Sequence, residues 1–422
     1  MGGCPSLEYE SLNTTISFRI KMGEKELKDF FIGYLKKDSI FKNKQSLQSN
    51  YTPKDVPYRE DQIKSLAGIL APALRTEKPS NVFIYGKTGT GKTLCAKHVT
   101  NNMMHIAKEN NIHLKVFYLN CKMKRVAGTE YRLLAQLSRE FGIEVPATGL
   151  PTDEIYKIFI KALDESQILL IIILDEIDQL VEKTGDEILY NLTRMNSELQ
   201  KSDISIIGIS NDLVFTDNLD PRVKSSLSEE ELVFPPYNAI QLQKILRQRA
   251  KLAFKEGVID EGIIEKCAAY AAREHGDARR ALELLRVAGE LAERENQTLI
   301  TIDYIDKAEE KVERDRILDI VATQPKQFKL TLYSILTCVN DGNPIFTGEI
   351  YDIYKDTCTQ TGIAPLTQRR VSDIIAELDM LGIINAKVVS KGRYGRTRQI
   401  ALAIPQSTVP KVQTILKTGL SL

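Results

Sequence analysis

The sequence predicts an α/β core on a parallel sheet, followed by an all-α segment and a C-terminal unit of helices and a basic hairpin. Three observations carry this. Short aliphatic runs alternate with helical stretches between residues 81 and 210, a GxxxxGK[ST] loop follows the first run, and helical periodicity takes over beyond Pro235-Pro236. Strands alternating with helices are the pattern of a parallel sheet covered by helices on its faces.

Taken in order, residues 24–37 set Leu27, Phe30, Phe31 and Leu35 at helical spacing between lysines, a short amphipathic helix. Residues 38–58 are polar and broken by Pro53 and Pro57, which reads as an extended lead-in to a helix over 59–74. Strands are expected at 81–85, 116–120, 169–174 and 204–210. Consecutive helices fill 239–319, clearest at 259–272 and 279–292. After Pro325 come helices around 330–339, 348–361 and 367–381, then two strands joined by a Gly-rich basic turn. The expected partition is an N-terminal extension over 1–37, an α/β nucleotide-binding domain over 38–236, a helical domain over 237–320 and a C-terminal domain over 325–412.

At 422 residues the chain is long enough for several domains, and 43% hydrophobic with 27% charged residues implies a packed core. Lys plus Arg at 57 against Asp plus Glu at 56 leaves a net charge of +1, so any basic surface must be local. Cys4, Cys95, Cys121, Cys267, Cys338 and Cys358 are scattered without a CxxC pair or a histidine at ligand spacing. They read as reduced thiols of a cytoplasmic protein, neither zinc ligands nor a disulfide framework. The longest aliphatic run, 168–174, falls far short of the ~20 residues a membrane helix needs, so no membrane partner is expected. Met1-Gly2-Gly3-Cys4-Pro5-Ser6 fits a loose myristoylation pattern, with a frayed terminus as the plainer reading.

Gly86, Lys87, Thr88, Gly89, Thr90, Gly91, Lys92 and Thr93 stand between an expected strand and an expected helix, the context that gives such a loop meaning. Its glycines let backbone N–H groups turn inward, and these donors with the positive end of the next helix would cradle ATP or ADP phosphates. Lys92 would reach the β and γ phosphates and the Thr93 hydroxyl would hold Mg²⁺. The aliphatic run 168–174 delivers Asp175 and Glu176 at the C-terminal end of a strand, where ligands bind in such sheets. Asp175 would position the magnesium ion and Glu176 the attacking water.

Near the C-terminus, Val371, Ile374, Ile375, Leu378 and Leu381 share one face of the 367–381 helix, leaving Thr367, Gln368, Arg369 and Ser372 near its start, with Arg370 as a further candidate DNA contact. A recognition helix presents side chains there to the major groove and its phosphates. Residues 387–398 hold five basic residues and no acid, among them Lys391, Arg393, Arg396 and Arg398 around a glycine-containing turn. This resembles the wing of a winged-helix domain, whose cations would neutralise DNA phosphates; a solvated hairpin of a protein-binding winged helix is the alternative.

On these residues the chain resembles the AAA+ superfamily, and Pro57-Tyr58-Arg59-Glu60-Asp61-Gln62, Leu219-Asp220-Pro221-Arg222-Val223-Lys224-Ser225-Ser226-Leu227 and Val233-Phe234-Pro235-Pro236-Tyr237 narrow the resemblance to archaeal replication initiator ATPases of the origin-recognition-complex type. The similarity covers about 38–403. It implies an AAA+ core, a helical lid and a winged helix, with Asn211 sensing the γ-phosphate and Arg279 reaching it from the lid, Arg280 facing solvent. It also implies Tyr58 and Arg59 near the adenine, Tyr237 and Arg249 closing the nucleotide from the lid side, and a second DNA contact at Lys122, Lys124 and Arg125. A charged helix face explains those last three as well. One departure is that Ser225-Ser226 stands where many relatives carry a Ser-Arg pair, so the usual arginine finger is missing. Arg222 acting on a neighbouring subunit is one substitute, and slow hydrolysis serving as a switch is the other. The implied function is ATP-regulated recognition of double-stranded DNA at replication origins, nucleoid-associated, with other initiator subunits and the replicative helicase as partners. A same-fold repressor and an AAA+ remodeller whose winged helix binds protein remain as alternatives.

Overall fold

The structure is a computed structural model, describing residues 31–32, 38–49, 51–53, 55–122, 129–146, 149–227, 229–338, 345–390 and 396–422. The chain divides into two units, Met1–Ile40 and Phe41–Leu422. Within the first, Phe31 and Ile32 are helical and exposed, and the rest of the expected 24–37 helix lies outside the described residues.

The second unit opens with a lead-in segment and helix α1 (Glu60–Leu70), which gives way to a 3₁₀ turn at Ala71–Arg75, where Pro72 cannot continue an α-helix. Strands β1 (Asn81–Tyr85), β2 (Leu114–Asn120), β3 (Leu169–Asp175), β4 (Asp203–Ser210) and β5 (Glu229–Val233) form one parallel sheet in the order β2-β3-β4-β1-β5. Between them run α2 (Lys92–Glu109), α3 (Glu130–Arg139), α4 (Thr152–Ser166), α5 (Ile177–Thr184), α6 (Glu187–Arg194) and α7 (Pro221–Leu227). Strand alternation sends Val82, Ile84, Ile171, Ile173, Ile207 and Ile209 to one face against Leu66, Cys95, Ala96 and Val99 of α1 and α2. Phe83, Tyr85, Leu170, Ile172 and Leu174 go to the other, against Leu133, Phe159, Leu163 and Leu189 of α3, α4 and α6. Both faces are buried, which is why these strands read as continuous aliphatic runs.

The fifth strand is an addition to the four expected. Its sequence, Glu229-Glu230-Glu231-Leu232-Val233, lacks an apolar run because it pairs only with β1, at the sheet edge.

Four helices follow: α8 (Ala239–Ala253), α9 (Ile263–Arg273), α10 (Ala278–Arg294) and α11 (Ile302–Thr323). Helix α9 starts later than the expected 259, because Ile259 bridges to Ile300 and Gly262 caps the helix in the left-handed region. The C-terminal unit comprises α12 (Lys326–Cys338), the short strand β6 (Ile345–Phe346), α13 (Thr347–Thr361), α14 (Gln368–Met380), and the hairpin β7 (Ile384–Ser390) and β8 (Arg396–Leu402), closed by α15 (Val409–Leu420). Its sheet order is β6-β8-β7. Helix α15 and strand β6 were not expected. Val412, Leu416 and Leu420 of α15 enter the same core as Val371, Ile375 and Ile400, so apolar packing continues to the last helix. No helix among the described residues is long and apolar enough to cross a membrane.

Candidate functional site

The loop from Gly86 to Thr93 turns between β1 and α2. Gly91 caps α2 with φ 92 and Gly89 has φ 70, both left-handed conformations that an L side chain resists. Lys92, 5% exposed, reaches back inside the loop. Its Nζ donates to Gly86 O at 2.6 Å, Lys87 O at 2.8 Å and Asn211 Oδ1 at 2.9 Å, so all three ammonium protons have acceptors. Burial lowers the Lys92 pKa to about 8, with Asp175 opposing and Arg279 adding to the fall. Asn211, expected to sense phosphate, therefore meets the loop through Lys92.

At the end of β3 the Asp175 carboxylate is buried and held by three donors. Thr93 Oγ1 at 2.9 Å and the Tyr118 hydroxyl at 2.6 Å both donate to Oδ2, and Glu176 N donates to Oδ1 at 3.1 Å. Because the Thr93 hydroxyl spends its proton on Asp175, its lone pairs are left for a cation. One hydroxyl oxygen beside one carboxylate, open to the phosphate loop, is the hard donor set that suits Mg²⁺ bound with phosphate oxygens. Glu176 sits at φ 56, a left-handed conformation that is costly for a non-glycine residue and marks the turn from β3 into α5. Lys122, expected at DNA, lies 3.8 Å from Glu176 Oε2 with its side chain 71% exposed. Lys124 and Arg125 lie outside the described residues.

The helical segment closes on this loop through the start of α10. Asp277 caps α10 by accepting from Arg279 N at 2.7 Å and Arg280 N at 3.3 Å, and Ala278 N donates to Gly89 O at 3.3 Å. A methyl group at Gly89 would stand 1.7 Å from Asp277 Oδ1, so only glycine admits this contact. Arg279 borders the cavity beside the loop. Arg280 corrects the expectation of a solvent-facing side chain: it is 10% exposed and pairs with Glu274, Glu309 and Glu313 at 3.2, 3.3 and 3.4 Å.

That cavity, of about 250 Å³, lies between Gly89, Gly91, Thr93 and Lys97 on the core side and Ile245, Arg249, Arg279 and Leu282 on the helical side. Its third wall is the lead-in segment, with Gln48, Tyr51, Pro53, Val56 and Pro57, and Tyr237 also borders it. Arg249 is 8% exposed, stacks 4.3 Å over the Tyr51 ring, and has a buried Nη1 with no hydrogen-bond partner. Arg249 thus lines the cavity while one of its buried donors lacks a protein partner, a polar group that calls for an explanation such as a ligand acceptor. The lead-in is anchored on the helical segment, where Phe41 packs on Phe254 with ring centroids 4.8 Å apart and Lys44 pairs with Glu290 at 2.8 Å.

Tyr58 and Arg59, expected beside the base, do not line this cavity. Arg59, 2% exposed, donates from Nε to Thr90 O at 2.9 Å and from Nη2 to Pro235 O at 2.5 Å, and lies 4.0 Å over the Tyr237 ring. It clips the phosphate loop to the junction after β5, and its charge is taken up by carbonyls and an aromatic face. Sequence reasoning missed Tyr51, Gln48 and Val56 as cavity walls and Tyr118 as a partner of Asp175.

In the C-terminal unit, Thr367 caps α14 by accepting from Arg370 N, and Thr367, Gln368, Arg369 and Arg370 are exposed. Arg370 pairs with Asp373 at 3.8 Å. Arg398 is partly buried and donates from Nη1 to Ser372 O at 2.8 Å, so part of its guanidinium ties the hairpin to α14. Gln368, Arg369, Ser372 and Arg398 share a groove with Thr347 and Gly348 at the start of α13. Lys391, Arg393 and the Arg396 side chain lie outside the described residues. Near the core, Arg222 is 86% exposed and pairs with its neighbour Asp220 at 3.2 Å.

A parallel α/β core with a Lys92–Asp175 loop site, a helical segment docked on the loop, and a C-terminal winged helix define a nucleotide-binding protein of the AAA+ class. Residues 82–236 match the ATPase family associated with various cellular activities, residues 243–310 the Cdc6 AAA+ ATPase-type lid domain and residues 319–412 the CDC6 C-terminal winged helix domain. The chain is 52% identical to the ORC1-type DNA replication protein of Thermococcus onnurineus over 95% of this chain and 99% of the relative. It is 53% identical to that of Pyrococcus furiosus, over 95% and 96%. Among solved structures, the Aeropyrum pernix ORC1 protein in complex with DNA superposes with a TM-score of 0.80 at 45% identity, covering 90% of this chain and 98% of that one. The chain belongs to the ORC1-type DNA replication protein family.

Proposed function

We propose that this protein initiates DNA replication by holding double-stranded origin DNA through its winged helix while its nucleotide site reports ATP or ADP. The observation that carries the reading is the direct docking of Asp277 and Ala278 on Gly89, which makes the lid sensitive to whatever the phosphate loop holds. The winged helix continues from that lid through α11, whose Ile317 and Val321 enter the C-terminal core. Relatives bearing the ORC1-type name at 52% and 53% identity, and a DNA-bound relative at 45%, support origin DNA as the partner.

When bound, magnesium ATP supplies a hydrolysable terminal phosphate and a cation that offsets its charge. The loop amides of residues 86–93 bind phosphates, Lys92 and Asn211 answer to the terminal one, Thr93 and Asp175 hold the metal, and Glu176 orients water. Arg279 reaches from the lid, and Tyr237, Arg249 and Tyr51 enclose the base. Arg222 is exposed and pairs with Asp220, and Ser225-Ser226 supplies no cation. A missing arginine finger costs ~10³–10⁵ in rate, so hydrolysis serves as a slow timer and the nucleotide as a switch. The reading keeps the partition into 38–236, 237–320 and a winged helix from 325, whose packing runs to Leu420. Further initiator subunits and the replicative helicase are the partners it implies.

Nuclease protection on origin DNA tests this. Wild-type protein is expected to protect discrete sites, Arg369→Ala to protect them weakly, and Lys92→Ala to protect them without any difference between ATP and ADP. Absence of protection by wild-type protein on any origin fragment overturns the DNA reading.

A further inference from the structure

Tyr118 stands outside every motif that marks the nucleotide site, yet it makes the shortest hydrogen bond to Asp175. It lies on the edge strand β2, paired in register with Ile173, so it projects from the same sheet face as Asp175 two residues along β3. Its hydroxyl donates to Asp175 Oδ2 at 2.6 Å, the oxygen that also accepts from Thr93 at 2.9 Å. Lys97, one helical turn beyond Thr93, places its ammonium 3.6 Å over the Tyr118 ring and holds that ring from the α2 side.

We propose that Tyr118 is a positioning residue for the magnesium ion: its phenol fixes the Asp175 carboxylate in the one orientation that leaves the Thr93 hydroxyl oxygen free for the metal. With Oδ1 held by Glu176 N and Oδ2 by two hydroxyls, the carboxylate cannot rotate. Without the phenol, Oδ2 keeps only the Thr93 proton and the carboxylate gains freedom to turn about its Cβ–Cγ bond. Outer-shell partners of this kind are worth about 10- to 100-fold in metal affinity. The inference rests on the magnesium-nucleotide reading of the site.

The test compares wild-type protein with Tyr118→Phe, which keeps the ring and its contact with Lys97. Binding of a fluorescent ATP analogue is measured in EDTA and across a Mg²⁺ titration, with thermal unfolding as the control for folding. Tyr118→Phe is expected to bind as wild type in EDTA and to need about tenfold more Mg²⁺ for the magnesium-dependent gain in affinity. An unchanged or lowered Mg²⁺ requirement overturns the positioning role, as does equal weakening with and without the metal. Wild-type protein that shows no Mg²⁺-dependent gain would instead refute the underlying site.

Discussion

Raising the pH from 7 to 9 will weaken nucleotide binding about tenfold, and one side chain sets the size of that change. Lys92 is buried, and its pKa stands at about 8. With that value the ammonium is about 0.9 populated at pH 7 and about 0.1 at pH 9, and only the cation attracts phosphate, so the ratio gives the tenfold loss. The thiols of Cys95 and Cys121, pushed up by burial to about 12, do not titrate in this window. A fluorescent ATP analogue titrated at fixed excess Mg²⁺ and constant ionic strength measures the dependence. Calorimetry at pH 8 in two buffers of different ionisation enthalpy should register uptake of about half a proton. Lys92→Arg keeps its charge throughout, because a guanidinium does not deprotonate, so its weaker binding should be flat from pH 7 to 9. Equal slopes for wild type and Lys92→Arg, or a flat wild type, would refute the reasoning. Stability runs the opposite way. The folded chain binds fewer protons at Lys92 than the unfolded one between about 8 and the ordinary 10.5, so the cost of burying the cation is full below 8 and is relieved as pH rises through that window.

Gly89→Ala will strain a left-handed position and collide with Asp277, costing about 1–3 kcal/mol in urea denaturation; adding Asp277→Ala should recover only the collision part. Arg59→Met will leave Thr90 O and Pro235 O without their donor, at roughly 1–3 kcal/mol for each carbonyl, and wild-type stability in the same assay would contradict the clip. Arg369→Ala should reduce the salt dependence of DNA binding by about one phosphate contact with no change in thermal midpoint. Arg398→Ala should lower both DNA affinity and the midpoint, because it also releases Ser372 O.

Much of the site was legible because its chemistry demands particular residues at particular places. The loop glycines, Lys92, Thr93 and Asp175 lie where a strand meets a helix, and the buried strands around them announce themselves as aliphatic runs. What escaped reading was set by contacts distant in sequence. Tyr51 becomes a cavity wall only because Phe41 and Lys44 anchor the lead-in to the lid. Tyr118 meets Asp175 only through the register of β2 on β3. Arg59 had the right neighbourhood but spends its donors on Thr90 and Pro235, and Arg280 turned inward because Glu274, Glu309 and Glu313 converge on it. Strand β5 hid behind three consecutive glutamates that an edge position tolerates.

Initiation itself is tested most directly by crosslinking the protein to chromosomal DNA in its source organism and mapping, in the same cells, where replication begins. Bound sites should coincide with replication starts, and Lys92→Ala should abolish new starts while leaving some occupancy. Occupancy spread over sites where no replication begins, with starts unaffected by Lys92→Ala, would contradict the initiator role.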